Sequence, residues 1–185
     1  MLVPGKHWDE LFAVAMQQYG YVTSRDARRL GLRPSYLGEL HKRGTVEPVA
    51  RGLYRFPQIP VTELTPYMEA VLWVGQDAAL SHDAVLSMHG LAQVNPRVLR
   101  VSTPRRVRKL DPPLPVEILR RKLPAEDLTT YEGIPSTTVA RALRDCRGLV
   151  MQTRLLDAAS EARALGLVRR RDLGALLSDL EHPDG

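Results

Sequence analysis

From Lys6 to Tyr19 the apolar residues Trp8, Leu11, Phe12, Ala15 and Met16 recur at helical spacing, and Gly20 follows as a stop. Tyr21-Val22 reads as a short extended link. Thr23 or Ser24 is placed to cap a second helix, about 24–30, with Asp26 beside its N-terminal dipole. Gly31 ends that helix, Leu32-Arg33 turns the chain, and Pro34 suits the first position of a third helix, where its missing N–H costs nothing. The third helix runs to Arg43 and stops at Gly44. Helix, short glycine-containing turn, helix is the order of a helix-turn-helix. At about 100° per residue Leu37 and Leu40 share one face, with Ser35, Gly38, Glu39 and Lys42 opposite. Such a helix fits a major groove, and equally an ordinary amphipathic helix with a solvated face.

The next residues tip that balance. Val46–Val49 and Leu53–Phe56 read as two short strands around Ala50-Arg51-Gly52, and Pro48 marks the first as an edge strand. A hairpin with an arginine at its tip, directly after a helix-turn-helix, is a wing. Its Arg51 and Arg55 are expected to reach phosphates or a minor groove. The candidate DNA-binding residues are Thr23, Arg25, Arg28, Arg33, Ser35, Tyr36, Glu39, Lys42, Arg43, Arg51 and Arg55.

Pro57-Gln-Ile-Pro60 is a proline-marked link, which predicts a winged domain at 1–60 and a second domain at 61–185. In the second, a helix begins at Pro66 with Met68, Val71, Leu72 and Trp73, and Ser81 caps a helix from His82 to His89. Arg97–Thr103, Val116–Lys122 and Leu128–Tyr131 are strand candidates, with Glu132-Gly133 as a turn. Thr137 or Thr138 caps a further helix, and helices of about 151–165 and 170–180 close the chain. The predicted class is α+β: an N-terminal winged helix-turn-helix followed by a mixed domain of helices and strands.

Charge sharpens this division. Residues 1–60 hold nine basic and five acidic side chains, 61–96 hold four acids and no Lys or Arg, and 97–122 hold nine basic against two acidic. Two basic blocks around an acidic one suit a nucleic-acid face, or two faces for different partners. The strip Arg105, Arg106, Arg108, Lys109, Arg120, Arg121 and Lys122 is the candidate second contact, for phosphate or an acidic partner. No apolar run approaches the roughly 18 residues that span a bilayer, and the first residues lack an apolar signal region, so a cytoplasmic location without membrane contact is expected.

Three ordered segments resemble AbiEi-type antitoxins of the AbiE toxin–antitoxin systems. The first is Tyr21-Val-Thr-Ser-Arg-Asp-Ala-Arg-Arg-Leu-Gly with Leu37, Leu40, Arg43-Gly44 and the wing Val49-Ala-Arg-Gly-Leu-Tyr-Arg. The second, Leu80-Ser-His-Asp-Ala-Val-Leu-Ser-Met-His-Gly-Leu91, is similar to that family's S-H-x-S/T-A-L-x-x-H-G-L segment. The third, Ile134-Pro-Ser-Thr-Thr-Val-Ala-Arg-Ala-Leu-Arg-Asp145, is similar to its proline-led helix. The resemblance implies double-stranded operator DNA as one partner and a nucleotidyltransferase-like AbiEii toxin as the other. It implies autorepression and no chemistry of the chain's own.

Residue types for catalysis are thin. A nuclease-like C-terminal domain needs a Glu-x-Lys on a strand to hold a divalent metal beside a base, and the strand here offers Glu117-Ile118-Leu119. No phosphate-binding glycine loop or nucleophile elbow is present. His82 and His89, two turns apart, are too distant to chelate one ion as an i, i+4 pair would. The lone Cys146 forms no internal disulfide and reads as a buried structural thiol. No catalytic residue, metal ligand, cofactor or small-molecule substrate is therefore assigned, and the rival readings are a regulator without a toxin partner and, behind it, a nuclease-like enzyme.

Overall fold

The computed structural model describes residues 6–108 and 111–182. Its contacts divide the chain into two compact units. One runs to Trp73 and takes in Asp111–Leu114; the other holds the rest from Val74 onward.

The first unit is built on α1 (Lys6–Gln17), β1 (Tyr21–Thr23), α2 (Ser24–Arg29), α3 (Tyr36–Lys42), β2 (Glu47–Ala50), β3 (Leu53–Arg55) and most of α4 (Thr65–Val74). Leu11 and Ala15 of α1, Ala27 of α2, Leu37 and Leu40 of α3 and Phe56 bury together, as their helical spacing demands. Trp8 stacks on Phe12 at 4.7 Å, and both rings meet Phe56 edge-on. The extended link after α1 is a true strand. β1 pairs antiparallel with β3, giving a three-stranded sheet in the order β1-β3-β2. The sheet edge falls at β2, where Pro48 can sit without an inward N–H. The register shifts between Pro48 and Ala50, which bends the hairpin towards its tip.

The start of α3 differs from the sequence reading. Pro34 lies in the turn before α3 rather than at its first position, and Ser35 takes the N-cap. The helix therefore starts at Tyr36, two residues later than read, and the Ser35 hydroxyl bonds Glu39 rather than capping it.

The second unit is a five-stranded mixed sheet in the order β6-β5-β4-β8-β7. Its strands are β4 (Ala79–Leu80), β5 (Leu99–Thr103), β6 (Val116–Arg120), β7 (Leu128–Tyr131) and β8 (Ile134–Thr137). β4 runs antiparallel to β5 and parallel to β8, while β5 and β6 are parallel and β7 and β8 form a hairpin. Helices α5 (Asp83–Met88), α6 (Val139–Asp145), α7 (Gln152–Ala164) and α8 (Arg170–Glu181) complete it. Leu80, Leu86, Val101, Ile134, Leu143, Leu155 and Leu176 are fully buried. The central strands β4 and β8 escape sequence reading, because two or four residues without alternation carry no period-two signal.

Ser81 does not cap α5. His82 takes that position with φ +57, a backbone region that favours glycine, and Ser81 instead bonds Ser102 at 2.9 Å. Thr138 does cap α6, through Arg141 N–H.

Candidate nucleic-acid interface

α2, the first helix of the helix-turn-helix, is locked by its own first residues. Thr23 Oγ1 accepts from the Asp26 N–H at 3.1 Å while the Asp26 carboxylate accepts from the Thr23 N–H at 2.9 Å, a complete capping box. Asp26 is buried and also takes bonds from Arg29 and Gln18. Thr23, named from sequence as a DNA contact, thus has its hydroxyl committed to the cap. Arg25 and Arg28 stay exposed on α2, Arg28 steadied by the Ser24 carbonyl at 3.2 Å.

α3 presents the other half. Leu37 and Leu40 are 3% and 4% exposed and fix which face turns outward. On that outer face Glu39 is held from two sides, by Arg33 at 2.8 Å and by the Ser35 hydroxyl at 2.9 Å. A carboxylate held this way is ready to accept from a base amino group without first ordering itself. Lys42 and Arg43 are exposed at the end of the helix, with no ion pair among the described residues. Tyr36 is half-buried and packs against the core, so it supports the helix rather than projecting from it.

The wing tip is clamped to α2. The Ser24 N–H donates to the Gly52 carbonyl at 2.9 Å, and a Cβ on Gly52 would stand 3.2 Å from Ser24 Oγ. Gly52 also has φ +76, so glycine is required there twice over. This clamp was not foreseen from sequence; only the glycine in the turn hinted at it. It sets Arg51 as an exposed cation at the tip.

Arg55 behaves differently from the wing arginine expected. Its side chain is half-buried and turns inward to donate to the Ile59 carbonyl, and its Nε is buried without a hydrogen-bond partner among the described residues. It lies near Tyr21, whose hydroxyl donates to Glu69. Burial and then Glu69 push the Tyr21 phenol up, with Arg55 opposing them. Arg55 therefore braces the base of the wing.

In the second unit the basic strip separates into individual fates. Arg106, Arg108, Arg120 and Lys122 are exposed, Arg105 pairs with Asp77 at 2.6 Å, and Lys109 lies outside the described residues. Arg121 is turned in. It donates to both oxygens of Asp145 and, through Nε, to Ser102 at 2.9 Å. Asp145 also takes Arg141 at 2.9 Å, and Arg141 reaches on to Asp127. Burial opposes the charge on Asp145, but the Arg121 bond and charge outweigh it and hold the carboxyl below its usual range. Burial pushes His82 and His89 down, and lifts the Cys146 thiol to about 12. His89 rests on the Tyr131 ring at 4.2 Å. A cleft of about 400 Å³ opens beside this network, lined in part by Ser102, Thr103, Arg121, Lys122, Leu128 and Pro135.

Among the described residues no group of three His, Cys, Asp or Glu side chains is placed to hold a metal ion. No helix among them is long and apolar enough to cross a membrane.

Comparison with known proteins places the first unit. Residues 9–57 match the family described as "Transcriptional regulator, AbiEi antitoxin". That match ends at the proline link, so it speaks for the winged segment. No curated protein sequence matches the chain. Among solved structures the chain is similar to the RV2827C protein from Mycobacterium tuberculosis, at 17% identity and a TM-score of 0.51. The likeness covers 95% of this chain and 72% of that one, and at such identity it is a likeness of fold.

Proposed function

We propose that this chain is a DNA-binding antitoxin that represses its own toxin–antitoxin operon and neutralises a nucleotidyltransferase-like AbiEii toxin. The observation that carries the reading is the winged segment itself. It joins an ordered polar face on α3, an exposed arginine at a clamped wing tip, and a family match over the same residues. In this reading α3 lies in the major groove of duplex DNA, where Ser35, Glu39 and Lys42 meet base edges, while Arg25, Arg28, Arg43 and Arg51 meet phosphates. The residues beyond the link at 57–60 take the toxin, with the exposed cations Arg106, Arg108, Arg120 and Lys122 on the contact surface. The chain supplies binding and no catalysis.

Two measurements test this. The full chain should retard a duplex of its own upstream region, with affinity falling steeply as salt rises. It should also co-purify with the product of a neighbouring nucleotidyltransferase gene and restore growth when coexpressed with it. Specific binding to the promoter with no toxin capture leaves a second reading, a regulator without a toxin partner. The cleft of about 400 Å³ favours that alternative, since it lies in the size range of small-molecule sites.

A further inference from the structure

α3 carries a glycine at its middle, and nothing among the described residues requires it. Gly38 lies within Tyr36–Lys42, outside the left-handed region, and a Cβ built on it meets no heavy atom of the described residues within 4 Å. Gly52 and Gly20 are different: both have positive φ, and a Cβ on either would press on a neighbour at 3.2–3.3 Å. Glycine inside a helix costs stability relative to alanine, because the unfolded chain has more freedom to lose. A helix of seven residues has little stability to spare. Gly38 lies on the outward face with Ser35 and Lys42, opposite the buried Leu37 and Leu40. The missing side chain therefore leaves bare backbone on the face offered to a partner.

We infer that Gly38 sets the depth at which α3 seats in the major groove. The bare backbone meets the base edges closely, and this lets Ser35, Lys42 and the Arg33-held Glu39 reach them. A methyl group there lifts the helix away from the bases and leaves the phosphate contacts of Arg51 and Arg43 largely in place. Specific affinity then falls while non-specific affinity holds. The inference rests on the DNA-binding reading above and adds a positioning residue to it.

The test uses the full chain, a duplex that the wild type selects from a random-sequence library, and a scrambled duplex of equal length. G38A should raise the melting midpoint by about 2–8 °C. It should lower affinity for the selected duplex about tenfold or more, with the scrambled duplex changed less than about twofold. G174A is the control: that glycine also sits inside a helix with open space about it, in α8. It should stabilise the chain and leave both affinities alone. G38A binding the selected duplex as wild type does, or losing both duplexes equally, overturns the inference while leaving the DNA-binding reading intact. A wild-type chain that selects no duplex at all removes that reading, and this inference with it.

Discussion

Arg51 and Arg55 lie four residues apart in one hairpin, yet they should fail in opposite ways. Arg55→Met keeps the aliphatic stem and removes the guanidinium that donates to the Ile59 carbonyl. A hydrogen bond from a charged donor is worth about 1.5–3 kcal/mol, and its loss leaves the carbonyl of the buried Ile59 unpaired. Relief of the unpartnered buried Nε offsets part of this, by about 1–3 kcal/mol. The lost bond and the freed Nε nearly cancel at mid-range, so the net loss is that of the stranded carbonyl, about 1–2 kcal/mol, and for a unit of this size each kcal/mol moves the melting midpoint by about 4–8 °C. Arg55→Met should therefore melt about 5–15 °C lower, with the salt dependence of DNA binding unchanged at temperatures where it is folded. Arg51→Ala should leave the midpoint within about 2 °C and lower the salt slope by about one. Differential scanning fluorimetry and anisotropy titrations at several salt concentrations read both. An Arg55→Met chain with wild-type stability and a reduced salt slope would refute the inward placement and return Arg55 to the phosphate-contacting set.

Other consequences follow from the same geometry. Asp26→Ala breaks the capping box of α2 and should cost about 1–2 kcal/mol, read as a lower denaturation midpoint without a change in salt slope. Asp145→Asn leaves Arg121 and Arg141 without their shared carboxylate and should destabilise the second unit by about 3–5 kcal/mol, seen as loss of amide-exchange protection across β5, β6 and α6 while the winged unit keeps its own. Acidification should weaken the second unit. Burial lowers the folded-state pKa of His82, amid Asp145, Arg121, Arg100 and Asp83, and of His89. The unfolded chain then takes the protons first, so stability is full above about pH 6.5 and declines below it; a midpoint that rises between pH 7.5 and about 5.5 contradicts this.

The winged unit was largely legible because its cues are local. Gly20, Gly31, Gly44 and Gly52 punctuate it, and Leu37 with Leu40 orient α3. Its strand β1 was visible only as an extended link, since pairing with β3 is a contact made across thirty residues and leaves no period in three residues. The direction of Arg55 was hidden for a similar reason: Ile59 lies beyond the hairpin, and its carbonyl is not a feature a sequence displays. In the second unit, β4 and β8 gave no periodic signal, and Ser81 resembled a helix cap because serine favours that position and Asp83 follows in the first turn. Its hydroxyl is drawn instead to Ser102 on a neighbouring strand. Arg121 stood in the basic strip by charge, whereas Asp145, well along the chain, takes it out of solvent.

Sequence recognition in the proposed function rests on α3. Equilibrium titration of the full chain onto its own promoter duplex, with every base pair changed in turn, gives a free-energy profile along the site. Wild type should show a few positions costing about 1–3 kcal/mol each on a strongly salt-dependent background. Glu39→Gln and Lys42→Ala should flatten the profile at particular positions, whereas Arg51→Ala should lower affinity evenly along the whole site. Profiles unchanged by Glu39→Gln and Lys42→Ala in folded protein, or a wild-type chain indifferent to every base pair, would contradict the claim that α3 reads sequence.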